Sequence, residues 1–326
     1  MKHTTDKRAT LLLTWIRQQF DIVENSFVPV SGDASFRRYF RFTAKHAFEI
    51  NNARLIAVDA PPELENSRPF IDIASLLRRN NIPAPEIYNA DLDQGFYLQQ
   101  DFGDQLLLDA LDKNSADNLY QQAMDEIINM QYVDITNLPL YDSKLLQREM
   151  NLFSEWYLSK HLNISLENNE RKIILSCFKL LEQNALEQPQ VFVHRDYHSR
   201  NLMLLDDNSL GIIDFQDAVK GAITYDLVSL LRDCYIAWPQ SNIDNWLKYF
   251  HQKIDADYSL EQFTRWFDLM GIQRHLKATG IFCRLNYRDG KPAYLNDIPR
   301  TLNYIINVSK KYSELAQFNQ LIQKFS

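Results

Sequence analysis

In the stretch VFVHRDYHSRNLMLLDDNSLGIIDFQDA an apolar run breaks off at His194-Arg195-Asp196, restarts, and ends on a second acid, Asp214. Apolar strands carry carboxylates when something requires them, because a buried unpaired charge is costly. Asn201 follows Asp196 by five residues, and Asp214 comes thirteen residues after Asn201. An amide oxygen and a carboxylate are hard ligands of the kind that hold Mg2+. A further carboxylate can accept a hydrogen bond from a hydroxyl and take its proton late. Such a set suits phosphoryl transfer, which needs positioning and charge neutralisation more than covalent help. On this reading Asp196 orients the acceptor hydroxyl, and Asn201 and Asp214 are the metal ligands. His194 braces the loop through a hydrogen bond. His198 brings a positive charge or a donor to the transferred group.

A phosphate-covering hairpin is expected near the N-terminus. SGDASFRR has the position for it, with Gly32 as its one glycine and Ser35 and backbone amides as donors. The strand-like piece RLIAVDA has no lysine, so the phosphates need another cation. With period-2 alternation, Arg37, Tyr39 and Arg41 share one strand face and Arg38, Phe40 and Phe42 the other. If Tyr39 faces the adenine, Arg37 and Arg41 face the phosphates, for which arginine is a competent partner. Otherwise these arginines are solvated edge residues. In FYLQQDFGD the backbone of Gln100 and Phe102 has the position to read adenine.

Elements on both sides must hold these groups. Residues 8–20 read as an amphipathic helix. SFVPV, FRRYFRF and RLIAVDA read as strands, the first two joined by the hairpin signal SGDAS. ENSRPFIDIASLLRRN is helical with Pro69 in its first turn, and APEIYNA and GFYLQQD are two more strands. From Gln105 the apolar spacing becomes helical in DNLYQQAMDEIINMQYV, SKLLQREMNLFSEWYLSKHL, RKIILSCFKLLEQNAL and TYDLVSLLRDCYIAW, interrupted by the strands NLMLL and LGIID. Ser259 opens a helix that contains Gly271 and Leu285. The expected fold is α+β with two lobes. Residues 1–102 form a small antiparallel sheet with one helix and a leading helix, binding nucleotide. Residues 103–326 form a larger, mainly helical lobe with the catalytic and acceptor-binding groups. A cleft between such lobes is a natural ligand site.

With 326 residues, 45% of them hydrophobic and 24% charged, this is an ordinary globular composition. A net charge of −7 argues against a general nucleic-acid binder. Cys177, Cys234 and Cys283 form no CxxC pair, as expected of reduced thiols in a cytoplasmic protein. No run reaches the ~18 apolar residues of a membrane span, and the N-terminal segment lacks signal-peptide features. Oligomeric state leaves no mark in the sequence.

The spacing of HRDYHSRN and IIDF resembles the catalytic and metal-binding loops of protein kinases and their small-molecule relatives. HRDYHSRNLM with IDFQDA is similar to the active-site signature of the aminoglycoside phosphotransferase and choline kinase superfamily. GDASFRRYFR, AVDAPPE, IDFQDAVKGAITYDLVSLLRDCY and GIQRHLKATGIFCRLNYRDGKPAYLNDIPR narrow the resemblance to bacterial anomeric sugar kinases of cell-wall recycling. That resemblance implies a kinase-type fold, ATP and Mg2+. It also implies transfer of the γ-phosphoryl group to the C1 hydroxyl of N-acetylmuramate or N-acetylglucosamine. The missing third-strand lysine departs from the wider superfamily.

The acceptor should lie beside Asp196. Asp217 either hydrogen-bonds sugar hydroxyls or braces its loop. Arg274, Lys277, Arg284 and Arg288 recur on one helical face. This face either receives a carboxylate of the acceptor or forms ion pairs with acidic helices. Asp226 is expected to support the catalytic loop through Arg195 or Arg232. Two other functions remain open: an aminoglycoside or amino-alcohol kinase, which would favour an acidic pocket, and a nucleotide-binding pseudokinase, suggested by the absent lysine.

Overall fold

Along Arg38–Ala47 the side chains alternate: Phe40, Phe42 and Ala44 are buried, while Tyr39, Arg41 and Thr43 are half-covered. That is the pattern of a strand with one face in a core. The computed structural model describes residues 6–30, 36–254 and 257–326. In chain order the first elements are α1 (Lys7–Arg17), β1 (Val28–Val30), β2 (Arg38–Ala47), β3 (Ile50–Asp59), α2 (Arg68–Arg79), β4 (Ile87–Asp91) and β5 (Phe96–Gln100). There follow α3 (Leu107–Ala110), α4 (Ala116–Gln131), α5 (Ser143–Leu152), a π-helix at Phe153–His161, and α6 (Asn168–Glu187). Then come β6 (Gln190–Val193), β7 (Leu202–Leu204), β8 (Leu210–Ile212), β9 (Val219–Ala222), α7 (Tyr225–Leu231) and α8 (Gln240–Lys253). The chain closes with α9 (Leu260–Asp289), α10 (Ile298–Ser309) and α11 (Ala316–Phe325). The class is the expected two-lobe α+β.

The chain divides into two compact units, Met1–Gln105 with Met203–Asp217, and Leu106–Leu202 with Ala218–Ser326. Met203–Asp217 thus belongs with the first unit, whereas an expected boundary at residue 102 leaves it with the second.

In the first unit the sheet order is β1-β2-β3-β5-β4, and every neighbouring pair is antiparallel. Leu12 and Ile16 of α1 join Phe40, Phe42, Leu55, Phe96 and Leu98 in one core. Tyr97 points to the opposite face, where Phe70 of α2 packs on it and stacks at 4.8 Å on Phe215. Ile212 N donates to Pro83 O at 2.8 Å, and Leu204 N to Gln105 O at 2.9 Å, so the β7–β8 turn is pinned to this unit. A Cβ on Gly211 would stand 2.6 Å from the Phe102 ring, so this contact requires glycine.

The second unit is organised around α9. Its 30 residues span about 45 Å, and it packs on α5, α6, α7 and α10. Ser259 Oγ caps it by accepting from Gln262 N, and Gly290 closes it at φ 67°.

Two helices depart from the sequence pattern. The apolar spacing of TYDLVSLLRDCYIAW predicts one helix, but α7 ends at Leu231. Asp233 is drawn inward there to accept hydrogen bonds from a neighbouring loop, and tertiary demand overrides periodicity. SKLLQREMNLFSEWYLSKHL is α-helical only to Leu152 and continues as a π-helix. Gly280 of α9 approaches the Leu152 backbone more closely than a Cβ would allow, and neither residue type announces that crossing. Among the described residues no helix is long and apolar enough to cross a membrane. All three cysteines are buried and free.

Candidate active site

The loop from His194 to Asn201 is built from backbone hydrogen bonds that close on themselves. His198 N donates to Asp196 O, Asn201 N to His198 O, and Asp196 N to His194 Nδ1 at 3.3 Å. His194 is fully buried. Arg195 sits at φ 77°, a left-handed conformation that costs a bulky residue about 1–2 kcal/mol. Such strain persists only where the surroundings hold it, and here two buried carboxylates do so.

Asp226 of α7 accepts from His194 N at 2.7 Å and Arg195 N at 3.0 Å. Asp233, just past α7, accepts from Ser199 N at 2.9 Å, Ser199 Oγ at 2.5 Å and Tyr235 N at 2.8 Å. One acid holds the entry of the loop and the other its exit. Asp226 therefore supports the loop, but through backbone N–H groups. Arg232 is instead committed to Asp268 at 2.5 Å in the core. Burial pushes the Asp226 carboxyl up to about 6, against the opposing pull of His194 and the two N–H donors.

The Arg195 guanidinium bonds to Glu149 of α5. Lys277 of α9 reaches the same Glu149 oxygen at 3.5 Å and donates to Tyr225 OH at 3.1 Å. Tyr141 OH also bonds to Glu149. Although burial raises it, the Asp196 carboxyl is held well below the usual carboxylate range by Lys277, His198, Arg274 and Arg195. The Asn201 amide nitrogen donates to Asp196 O at 3.0 Å, which leaves its oxygen as the atom for any ligand role. His198 packs edge-on against Tyr235, on which Arg200 also stacks.

In the first unit Asp214 lies at φ 66° and accepts from Gln216 Nε2 at 2.9 Å. Its neighbour Phe215 is the fully buried ring stacked on Phe70. Asp217 is exposed. Arg37 is buried, 3.6 Å from Glu65, over the Phe70 ring and hydrogen-bonded to Tyr39. Arg41, expected on the phosphates, spends all five of its donors on Asp101, Asp104 and Gly103 O. Gln100 N, expected to read adenine, donates to Glu86 O at 2.9 Å. Gly32 and Ser35 lie outside the described residues.

Of the expected acceptor wall, Arg274 and Lys277 are buried in α9 and both act on Asp196. Arg284 is half-covered, about 15 Å along the helix from Arg274. Burial and the neighbouring Arg288 lower its pKa.

A model of the phosphotransferase enzyme family matches residues 26–262. The chain belongs to this family. Within the phosphotransferases, it is 43% identical over 301 residues to an N-acetylmuramate/N-acetylglucosamine kinase of Pseudomonas aeruginosa, covering 90% of this chain and 87% of that one. It is 40% identical to the kinase of the same name from Pseudomonas putida, covering 97% of this chain and 96% of that one. Among solved structures, a Plasmodium vivax ethanolamine kinase superposes with a TM-score of 0.65 at 13% identity, over 90% of this chain and 86% of that one. This last likeness is one of fold.

Glu149 and Asp233 escape the sequence reading. Both carry a signal: each is an acid on the apolar stripe of a predicted helix, Glu149 beside Leu146 and Met150 and Asp233 beside Leu230 and Cys234. A carboxylate in that position must answer a buried donor or cation.

Proposed function

We propose that this phosphotransferase is an ATP-dependent amino-sugar kinase that phosphorylates the anomeric hydroxyl of N-acetylmuramate and N-acetylglucosamine. The observation that carries the reading is the loop bearing Asp196, anchored at one end by Asp226 and at the other by Asp233, in a chain 43% identical to a kinase of that name. An anomeric hydroxyl is more acidic than an ordinary alcohol. A carboxylate with a depressed pKa is a weak base, but it accepts the hydroxyl hydrogen bond and takes the proton as the new P–O bond forms.

ATP supplies the phosphoryl group. Asn201 and Asp214 are the residues that would hold Mg2+. The donor chemistry fits a hard cation: one carboxylate, and one amide whose nitrogen is already turned into the loop. Bound there, the metal would neutralise phosphate charge. His198 contributes a donor or positive charge on the side of Asp196. On the nucleotide side Gly32, Ser35, Tyr39 and Arg37 carry the proposed contacts.

An ADP-release assay with ATP and Mg2+ tests this across N-acetylmuramate, N-acetylglucosamine, choline, ethanolamine and an aminoglycoside. The two amino sugars should turn over and the cationic acceptors should not. Turnover confined to a cationic acceptor, or none with any compound, would refute it.

A further inference from the structure

Several cations of the second unit are buried or largely covered, and nearly all find a carboxylate. Arg232 meets Asp268, while Arg195 and Lys277 share Glu149. Arg274 differs. It is 5% exposed, and among the described residues its side-chain hydrogen bonding amounts to Nη1 with Cys234 Sγ at 3.8 Å. Its Nε is buried with no acceptor among the described residues. A guanidinium does not shed its proton in a protein. Asp196 and Asp233 offset its charge from a distance, but the buried Nε–H still lacks an acceptor, and a buried donor left unpaired is costly. An acceptor brought by a ligand would satisfy it.

The position of Arg274 narrows the ligand. It stands one turn of α9 before Lys277, which shares Glu149 with Arg195 of the catalytic loop, and its Nη1 reaches Cys234, next to the Asp233 that holds Ser199 of that loop, so it lies beside the loop that carries Asp196. The Nε–Nη2 edge of a guanidinium is a planar fork that matches both oxygens of a carboxylate. The two sugars differ by such a group, since N-acetylmuramate carries a lactyl carboxylate that N-acetylglucosamine lacks. Lys277, three residues on, is already committed to Glu149 and Tyr225.

We propose that Arg274 is the specificity-determining residue that receives the carboxylate of N-acetylmuramate. The proposal rests on the amino-sugar reading above. The shared turnover of both sugars follows from it: the common sugar ring is held without Arg274, and the carboxylate adds affinity where present.

The test measures kcat and KM of wild type, Arg274→Lys and Arg274→Met with N-acetylmuramate, its methyl ester and N-acetylglucosamine. In wild type, esterification should lower kcat/KM by about 10- to 100-fold, the value of a charge-assisted bidentate contact. Arg274→Met should shift the ratio of kcat/KM for the two sugars against N-acetylmuramate by the same factor, chiefly through KM, and should abolish the difference between acid and ester. Arg274→Lys should recover part of it. A shared fall in kcat on both sugars follows from the loss of a charge near Asp196, but a ratio of kcat/KM for the two sugars that stays as in wild type, with the difference between acid and ester intact, would overturn the proposal. A wild type indifferent to esterification would overturn it without any variant. A wild type inert on both sugars would refute the amino-sugar reading and this proposal together.

Discussion

The arginines of the sheet unit and the cations around Asp196 are treated in opposite ways. On β2 each arginine has acids of its own: Arg38 bonds Asp6 and Asp59, and Arg41 bonds Asp101 and Asp104. Around Asp196, Arg195 and Lys277 divide one glutamate between them, and Arg274 has no carboxylate at ion-pair distance among the described residues. Paired surface and half-buried arginines lock backbone segments together and contribute little field beyond their own contact. Under-paired buried cations project a field, and the depressed Asp196 carboxyl registers it. Charge in the first region serves architecture; in the second it is kept for chemistry.

The largest expected effect is at the focus of that field. Asp196→Asn should lower kcat by about 10³-fold, within the range of a lost general base, while nucleotide affinity measured by equilibrium binding changes less than about twofold. A comparable loss of nucleotide binding would mean that Asp196 is structural.

Next comes the loop anchor. Asp226→Asn keeps one acceptor where two N–H groups need one each, and kcat should fall about 100-fold through misplacement of Asp196. The same variant tests the electrostatics. The folded-state carboxyl of Asp226 titrates at about 6, above the unfolded value of about 3.8. Its stabilising contribution is therefore present below the unfolded value and is lost as pH rises through about 6. Denaturant unfolding should show wild type losing up to about 3 kcal/mol relative to Asp226→Asn between pH 4 and 7.5. A pH-independent difference would contradict the buried, raised carboxyl.

Lys277→Met removes the first of the cations that depress Asp196. Its kcat should fall about tenfold, and the acid limb of its pH profile should move to higher pH than in wild type. An unmoved limb would show that the field does not originate at Lys277. The smallest kinetic effect is expected in the architectural region. Arg41→Gln should leave the KM for ATP within about threefold yet cost about 1–3 kcal/mol in unfolding, because it leaves the buried Asp101 with only Arg54 and Gly103 N as partners. A large KM change with unaltered stability would return Arg41 to the phosphates and erase the contrast between the regions.

Much of this was legible from the sequence. The strands of the sheet were marked by alternation, as in Phe40 and Phe42, and α9 by Ser259 at its start. His194 stands out in the sequence as the residue that opens the catalytic loop, and its ring nitrogen accepts from Asp196 N. What remained hidden depends on three-dimensional partners. Nothing local distinguishes Arg41, saturated by Asp101 and Asp104, from Arg274, which lacks an acid. Both are arginines spaced along an amphipathic element, and sequence cannot say which acids fold back onto them. Likewise, that Asp226 would hold backbone N–H groups depends on Arg195 adopting a left-handed φ, which no arginine advertises. The end of α7 at Leu231 was masked because Asp233 breaks the helix to serve Ser199, a contact 34 residues away.

The most direct test of the account is the position of the phosphate in the product made from N-acetylglucosamine and ATP. A 31P–1H correlation spectrum tuned to three-bond couplings should couple the phosphorus to the anomeric proton, placing the new ester at C1. Coupling to the C6 methylene protons, or no phosphorylated sugar from active, folded enzyme, would contradict the claim that Asp196 is set for an acidic anomeric hydroxyl.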